Sequence, residues 1–159
     1  TCERRAFVRT YGVSKNPRPA AISEQELKPP SEQELKASQR VAAHRRVLVV
    51  EDDIDSARSL TWILRDLGHE VDYAINGYVA VDMAAQLRPE FVFLDLALPG
   101  LNGFEVCQRL RRLPGFERTR IIAVTAYSQD EYRKRAHDAG CDGYIVKPLN
   151  PAAIEALLD

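Results

Sequence analysis

Residues 46–159 predict an α/β fold, a doubly wound five-stranded parallel sheet. Three observations carry this. Short apolar runs alternate with helix-period segments five times along the chain. The main runs are continuously apolar, as strands covered on both faces require, and do not alternate with polar residues. A composition of 45% hydrophobic and 28% charged residues supplies both a core and a solvated surface.

The elements follow in order. Val47-Leu48-Val49-Val50 is the first strand. Asp55 to Leu67 is the first helix, with Ala57, Leu60, Leu64 and Leu67 at helical spacing and Gly68 as its stop. Glu70 to Ile75 is a short, more polar strand, which suits an edge. Asn76-Gly77 makes a turn into a second helix, Tyr78 to Leu87, which ends near Pro89. Phe91-Val92-Phe93-Leu94 is a fully apolar third strand, and a Pro/Gly loop leads to a helix from Gly103 to Leu113. Ile121-Ile122-Ala123-Val124 is the fourth strand. Gln129 to Ala139 is the fourth helix, stopped by Gly140. Tyr144-Ile145-Val146 is the fifth strand, and Pro151 stands at the first position of a last, short helix.

Residues 1–45 read differently. They hold Pro17, Pro19, Pro29 and Pro30 and few large apolar side chains, too little to offset chain entropy. A flexible linker or tail is expected there, with the domain over 46–159. The segment carries a near-repeat, SEQELKPP then SEQELKAS, whose Ser-x-x-Glu pattern can start transient helical turns. Charge divides at the same place. The stretch up to Arg46 carries +5 and the remainder −6, which together make the formal net charge of −1. The start at Thr1 suggests processing or a piece of a longer protein. Cys2, Cys107 and Cys141 form no C-x-x-C pair, against a disulfide scaffold or zinc site and in favour of a reducing cytoplasm. No apolar run approaches the roughly 18 residues of a membrane span, so no membrane contact is expected from this segment. Near-zero net charge gives no support for nucleic-acid binding.

In open parallel sheets, sites form at the carboxyl ends of the strands. The first strand ends in Glu51-Asp52-Asp53, the third in Asp95, the fourth in Thr125 and the fifth in Lys147-Pro148. The presumed edge strand ends in nothing reactive. With strand order 2-1-3-4-5, Asp52 lies beside Asp95, and Thr125 and Lys147 lie on the far side. Clustered carboxylates repel and call for a divalent cation. An all-oxygen set with room for water suits magnesium. A phosphoryl group on Asp95 would meet the cation on one side and the Lys147 ammonium on the other, with the Thr125 hydroxyl on a third oxygen. Taken singly, Asp53 or Asp55 is more simply a helix cap, and a Thr at a strand end or a Lys before Pro is unremarkable. Four polar ends on four expected strands are not.

VLVVEDD (47–53), FLDLALPGLNGFEV (93–106), IIAVTAY (121–127) and GYIVKP (143–148) together resemble the receiver domain of bacterial two-component response regulators. The resemblance covers residues 47–158. It implies the flavodoxin-like receiver fold, with Asp95 as phosphoacceptor and Asp52 as a direct Mg²⁺ ligand. It implies further that Glu51 acts on the metal mainly through water and that the Ala97 backbone carbonyl completes the protein's share of the metal shell. Thr125 and Lys147 would contact the phosphoryl group. Tyr144 matches an aromatic switch residue that turns inward when Thr125 moves, and Lys147-Pro148 matches a bond commonly cis. Leu98 replaces the usual Met, and Glu51 replaces an Asp.

The leading reading is therefore a phosphorelay switch, not an enzyme, that accepts phosphoryl from a histidine kinase or histidine phosphotransfer protein. Homodimerisation through the face of the fourth helix, fifth strand and last helix is a further expectation. The tail and the GHEV, LALPG and TAYSQ phrasing suggest the C-terminal receiver of a hybrid sensor kinase; a free-standing regulator is the alternative. An aspartyl-phosphate phosphatase would carry a second Asp where Ala97 stands, and a phosphate-independent scaffold would not need the full acid–Thr–Lys set. With no polar group at Ala97 to orient water, a long-lived phosphorylated state is expected. Trp62 is expected in core or helix-face packing, Arg109, Arg111 and Arg112 as a solvated helix end, and His69 in a turn.

Overall fold

The computed structural model describes residues 43–159. The expected SEQELK tail lies outside the described residues except for its last three. Of those, Arg45 is tied to the domain, its N–H donating to His69 Nδ1 at 3.3 Å and its guanidinium pairing with Glu90 at 3.2 Å.

Five strands, β1 (Arg46–Val50), β2 (Glu70–Ala74), β3 (Phe91–Asp95), β4 (Arg120–Thr125) and β5 (Gly143–Val146), alternate with five helices. The helices are α1 (Ile54–Asp66), α2 (Gly77–Leu87), α3 (Gly103–Arg112), α4 (Asp130–Ala139) and α5 (Pro151–Leu158). All pairings are parallel, in the order β2-β1-β3-β4-β5. The doubly wound architecture expected from the apolar runs is thus observed, with β2 at one edge and the half-buried β5 at the other.

Each inner strand feeds two cores. Val47, Val49, Phe93, Ile122 and Val124 face one way and pack with Leu60 and Leu64 of α1 and Ile154 and Leu158 of α5. Leu48, Val50, Val92, Leu94, Ile121 and Ala123 face the other way and pack with α2, α3 and α4 through Ala84, Val106, Leu110 and Ala136. This explains the unbroken apolar runs, because successive side chains point to opposite faces and both faces are covered.

Helix starts follow local chemistry. Asp53, Asn76, Asn102 and Asn150 each cap a helix by accepting a backbone N–H, and Asn102 with Glu105 forms a full capping box. Asn76-Gly77 is therefore a cap and first helical residue where a free turn was expected. Gly77 is needed there by proximity, since a Cβ would lie 2.7 Å from the Leu101 carbonyl oxygen. β2 stops at Ala74, the last residue paired with β1, and Ile75 beyond it is exposed.

Two surface expectations change, and a third residue, His69, follows the Leu67-Gly68 turn as expected but is buried. Trp62 is 70% exposed and belongs to no core. Arg111 is structural: its guanidinium donates to the carbonyls of Gly140 (2.8 Å), Phe116 (2.9 Å) and Thr119 (2.7 Å) and pairs with Asp142. Its charge satisfies loop acceptors brought near by the α3–α4 packing, which helix periodicity does not report. His69 is buried beside the start of β1, and burial, then the neighbouring His44 and Arg45, holds its imidazole below the ordinary value.

Candidate functional site

Register places the site. Leu94 pairs with Val50 and Asp95 with Val124, so the residues just past β1, β3 and β4 share the carboxyl rim of the sheet. Glu51 and Asp95 are buried there, Asp52 is exposed, and Thr125 is fully buried. One carboxylate oxygen from each of Glu51, Asp52 and Asp95 lies within 4.8 Å of the others. These are hard oxygen donors with a solvent-facing member, a set that fits a small divalent cation that keeps part of its water.

Lys147 reaches into this cluster from beyond β5. Its Nζ donates to Glu51 Oε2 at 2.6 Å and to Asp95 Oδ2 at 3.0 Å. The sequence placed Lys147 on the side of Asp95 away from the first strand; the structure instead has it bridging the two acids. Backbone holds it as well, with Lys147 N–H donating to the Thr125 carbonyl at 2.8 Å and a cis Lys147–Pro148 peptide following. Burial pulls the Lys147 pKa down, but the hydrogen bonds and charges of Glu51 and Asp95 outweigh it, and the ammonium is held above its ordinary value. Glu51 is shifted up, first by burial and further by Asp95, with Lys147 opposing.

The other expected residues are close by. The Ala97 N–H donates to Asp95 Oδ1 at 2.9 Å, so each Asp95 oxygen has a donor. Thr125 Oγ1 accepts the Tyr127 N–H at 3.3 Å. Tyr144 is half-buried with its hydroxyl donating to the Tyr127 carbonyl at 2.6 Å and the Arg133 guanidinium 4.7 Å from its ring centre. Tyr144 and Thr125 therefore meet through the backbone of Tyr127. Asp53, one of two acids expected as a cap, starts α1, and its N–H donates to Glu51 Oε1 at 3.3 Å.

Gly103 was missed by sequence reasoning. A Cβ there would overlap the Asp95 carbonyl and stand 2.5 Å from Leu96 Cα, so α3 can start against the end of β3 only with glycine. The signal was present: a glycine opening a helix directly after its Asn cap is otherwise a poor helix former.

Comparison with known proteins agrees with this geometry. A family model described as response regulator receiver domain matches residues 47–159. The DNA-binding response regulator MtrA of Mycobacterium tuberculosis is 38% identical over 112 residues, covering 70% of this chain and 48% of its own length. The chain thus spans about half the length of that relative. The Vibrio cholerae chemotaxis protein CheY4 superposes with a TM-score of 0.70 at 29% identity, over 73% of this chain and 97% of that one. The receiver domain of the sensor histidine kinase PA1611 from Pseudomonas aeruginosa, solved with a magnesium ion coordinated in its active-site cleft, gives 0.68 at 30% identity, over 73% and 95%. With the family match running from the first strand to the last residue, the chain belongs to the receiver domains of two-component response regulators.

Proposed function

We propose that Asp95 is the phosphoacceptor of a phosphorelay and that the domain stores the phosphoryl group as a switch. The observation that carries this is the Lys147 ammonium held 3.0 Å from Asp95 Oδ2 inside a three-carboxylate cluster. An Asp95 oxygen attacks the phosphorus of a phosphohistidine on a kinase or phosphotransfer protein; the P–N bond breaks and the imidazole leaves with its electron pair. Lys147 neutralises charge on the transferred group, and the Thr125 hydroxyl donates to one of its oxygens. Glu51, Asp52, Asp95 and the Ala97 carbonyl would hold Mg²⁺. Bound there, the ion supplies a positive charge that lets phosphoryl oxygens approach the acids.

The new charge draws Thr125 toward the phosphoryl group, which disturbs the Thr125–Tyr127–Tyr144 chain of contacts and changes the face of α4, β5 and α5. That face is the proposed partner or homodimer surface. The domain assists its own chemistry but does not turn over: Ala97 offers no general acid or base. We place the receiver in the cytoplasm, in a hybrid sensor kinase, on its likeness to the PA1611 domain. The likeness to MtrA supports the competing setting, a receiver joined to a DNA-binding segment. Sequencing the locus on both sides separates them.

Incubation with a small phosphodonor and Mg²⁺ tests the core reading. One phosphoryl group should be added to the chain, and Asp95→Asn should take none. Continuous phosphate release would point to a phosphatase, and no label under any condition to a scaffold.

A further inference from the structure

We propose that Cys107 and Cys141 form an oxidisable pair, a disulfide-forming modification site that staples α3 to the segment leading into β5. The cysteines are 34 residues apart, one on α3 and one just before β5, and both are buried thiols. The Cys141 S–H donates to Cys107 Sγ at 3.3 Å, so the side chains already face each other. Closing to the roughly 2.05 Å of a disulfide requires a movement of about one ångström.

The surroundings hold that geometry. Arg111, one turn after Cys107 on α3, donates to the carbonyl of Gly140 and pairs with the carboxylate of Asp142. The same Asp142 carboxylate accepts the Ile121 N–H at 2.8 Å. Cys141 is thus anchored on both sides along the chain, on the α3 face where Cys107 lies. The hydrogen bond from Cys141 and the nearby Arg111 charge favour the Cys107 thiolate, which burial alone would disfavour. A cleft of about 190 Å³, lined by Arg133, His137, Cys141 and Tyr144 among others, opens beside Cys141 and brings a small oxidant as far as Cys141, whose sulfur lies 3.3 Å from that of the fully buried Cys107.

The oxidant is a peroxide. The Cys107 thiolate attacks one peroxide oxygen and the O–O bond breaks. The leaving hydroxide takes a proton to become water, and Cys107 carries a sulfenic acid. Cys141, whose thiol the hydrogen bond to Cys107 and burial keep protonated, then attacks the Cys107 sulfur; its S–H bond breaks as the S–S bond forms, and its proton joins the displaced hydroxide, which leaves as a second water. Two thiols are oxidised by two electrons and one peroxide is reduced to two waters. Because β5 carries Tyr144 and leads to Lys147, the staple stiffens the base of the strand that the phosphorylation switch uses.

The test uses the full chain in a Cys2→Ser background, treated with hydrogen peroxide and compared with Cys107→Ser and Cys141→Ser. Circular dichroism establishes that each variant is folded; a serine variant that does not fold is replaced by the alanine one. The expected result is loss of two hydrogens by intact mass, a single cross-linked peptide joining residues 107 and 141, and reversal by dithiothreitol. Loop-closure entropy predicts a rise in thermal midpoint on the order of 10 °C for the oxidised form, absent in both single variants. Two free thiols on denaturation after peroxide, or sulfinic acid without a cross-link, would overturn the proposal.

Discussion

Replacing Lys147 by Met removes the ammonium and keeps the stem. The ion sits 2.6 Å from Glu51 and 3.0 Å from Asp95, whose side chains are 9% and 7% exposed. At an effective dielectric near 20, each contact is about 6 kcal/mol of Coulomb attraction before the cost of desolvation. Removing one partner of a buried pair usually costs about 3–5 kcal/mol. Lys147 is itself 30% exposed, so water already screens part of its charge; about 3 kcal/mol at neutral pH is expected. For a domain of this size that is a fall of roughly 10 °C in thermal midpoint. The deficit depends on pH. Glu51 already titrates above its ordinary 4.5, and without the ammonium it rises further. A carboxylate raised on folding contributes stability below its unfolded pKa and loses it as pH rises through the folded one. The variant's deficit should therefore shrink as pH is lowered toward 4, where Glu51 protonates. Mg²⁺ should raise the variant's midpoint more than the wild type's, because it replaces the missing charge. Differential scanning fluorimetry across pH, with and without MgCl₂, checks this. An unchanged midpoint at pH 7, or a deficit that grows on acidification, would refute the reasoning.

Three further outcomes follow from the same structure. Gly103→Ala forces a Cβ to within 2.5 Å of Leu96 Cα; overpacking against backbone should cost about 3 kcal/mol by urea unfolding, with slower phosphoryl uptake because the end of β3 shifts. Arg111→Met strands the carbonyls of Gly140, Phe116 and Thr119 and the Asp142 carboxylate, with an expected loss of about 3 kcal/mol of unfolding free energy, read as a lower denaturant midpoint at unchanged slope. His69 is held below its ordinary 6.5 by burial, so it contributes stability above that pH and loses it as pH falls through its folded value; His69→Gln should flatten the stability profile on the acid side of 6.5.

Much of the site was legible because its chemistry is punctual. Glu51, Asp52, Asp95, Thr125 and Lys147 stand directly after apolar runs, and a parallel sheet gathers strand ends on one rim. Trp62 shows the opposite case. It falls near the apolar stripe of α1, yet it is exposed, since the width of the buried face depends on how α1 seats against the sheet. Arg111 read as one of three equivalent arginines; only the fold gives it four acceptors. The cysteines read as an odd, unpaired set, and packing of α3 against the β5 approach brought two of them together.

The sequence by itself determined the class of fold and which side chains stand at the carboxyl rim. Strand period, helix period, caps and breakers act over a few residues and are written locally. Only the tertiary structure decided that Lys147 bridges Glu51 and Asp95, that Tyr144 reaches Thr125 through the Tyr127 backbone, and that Cys107 faces Cys141. Apart from the local Tyr127–Thr125 bond, those contacts join residues 17 to 96 positions apart. Their geometry is set by strand register and helix seating, which arise from burying two opposed apolar faces at once and are encoded in no single segment.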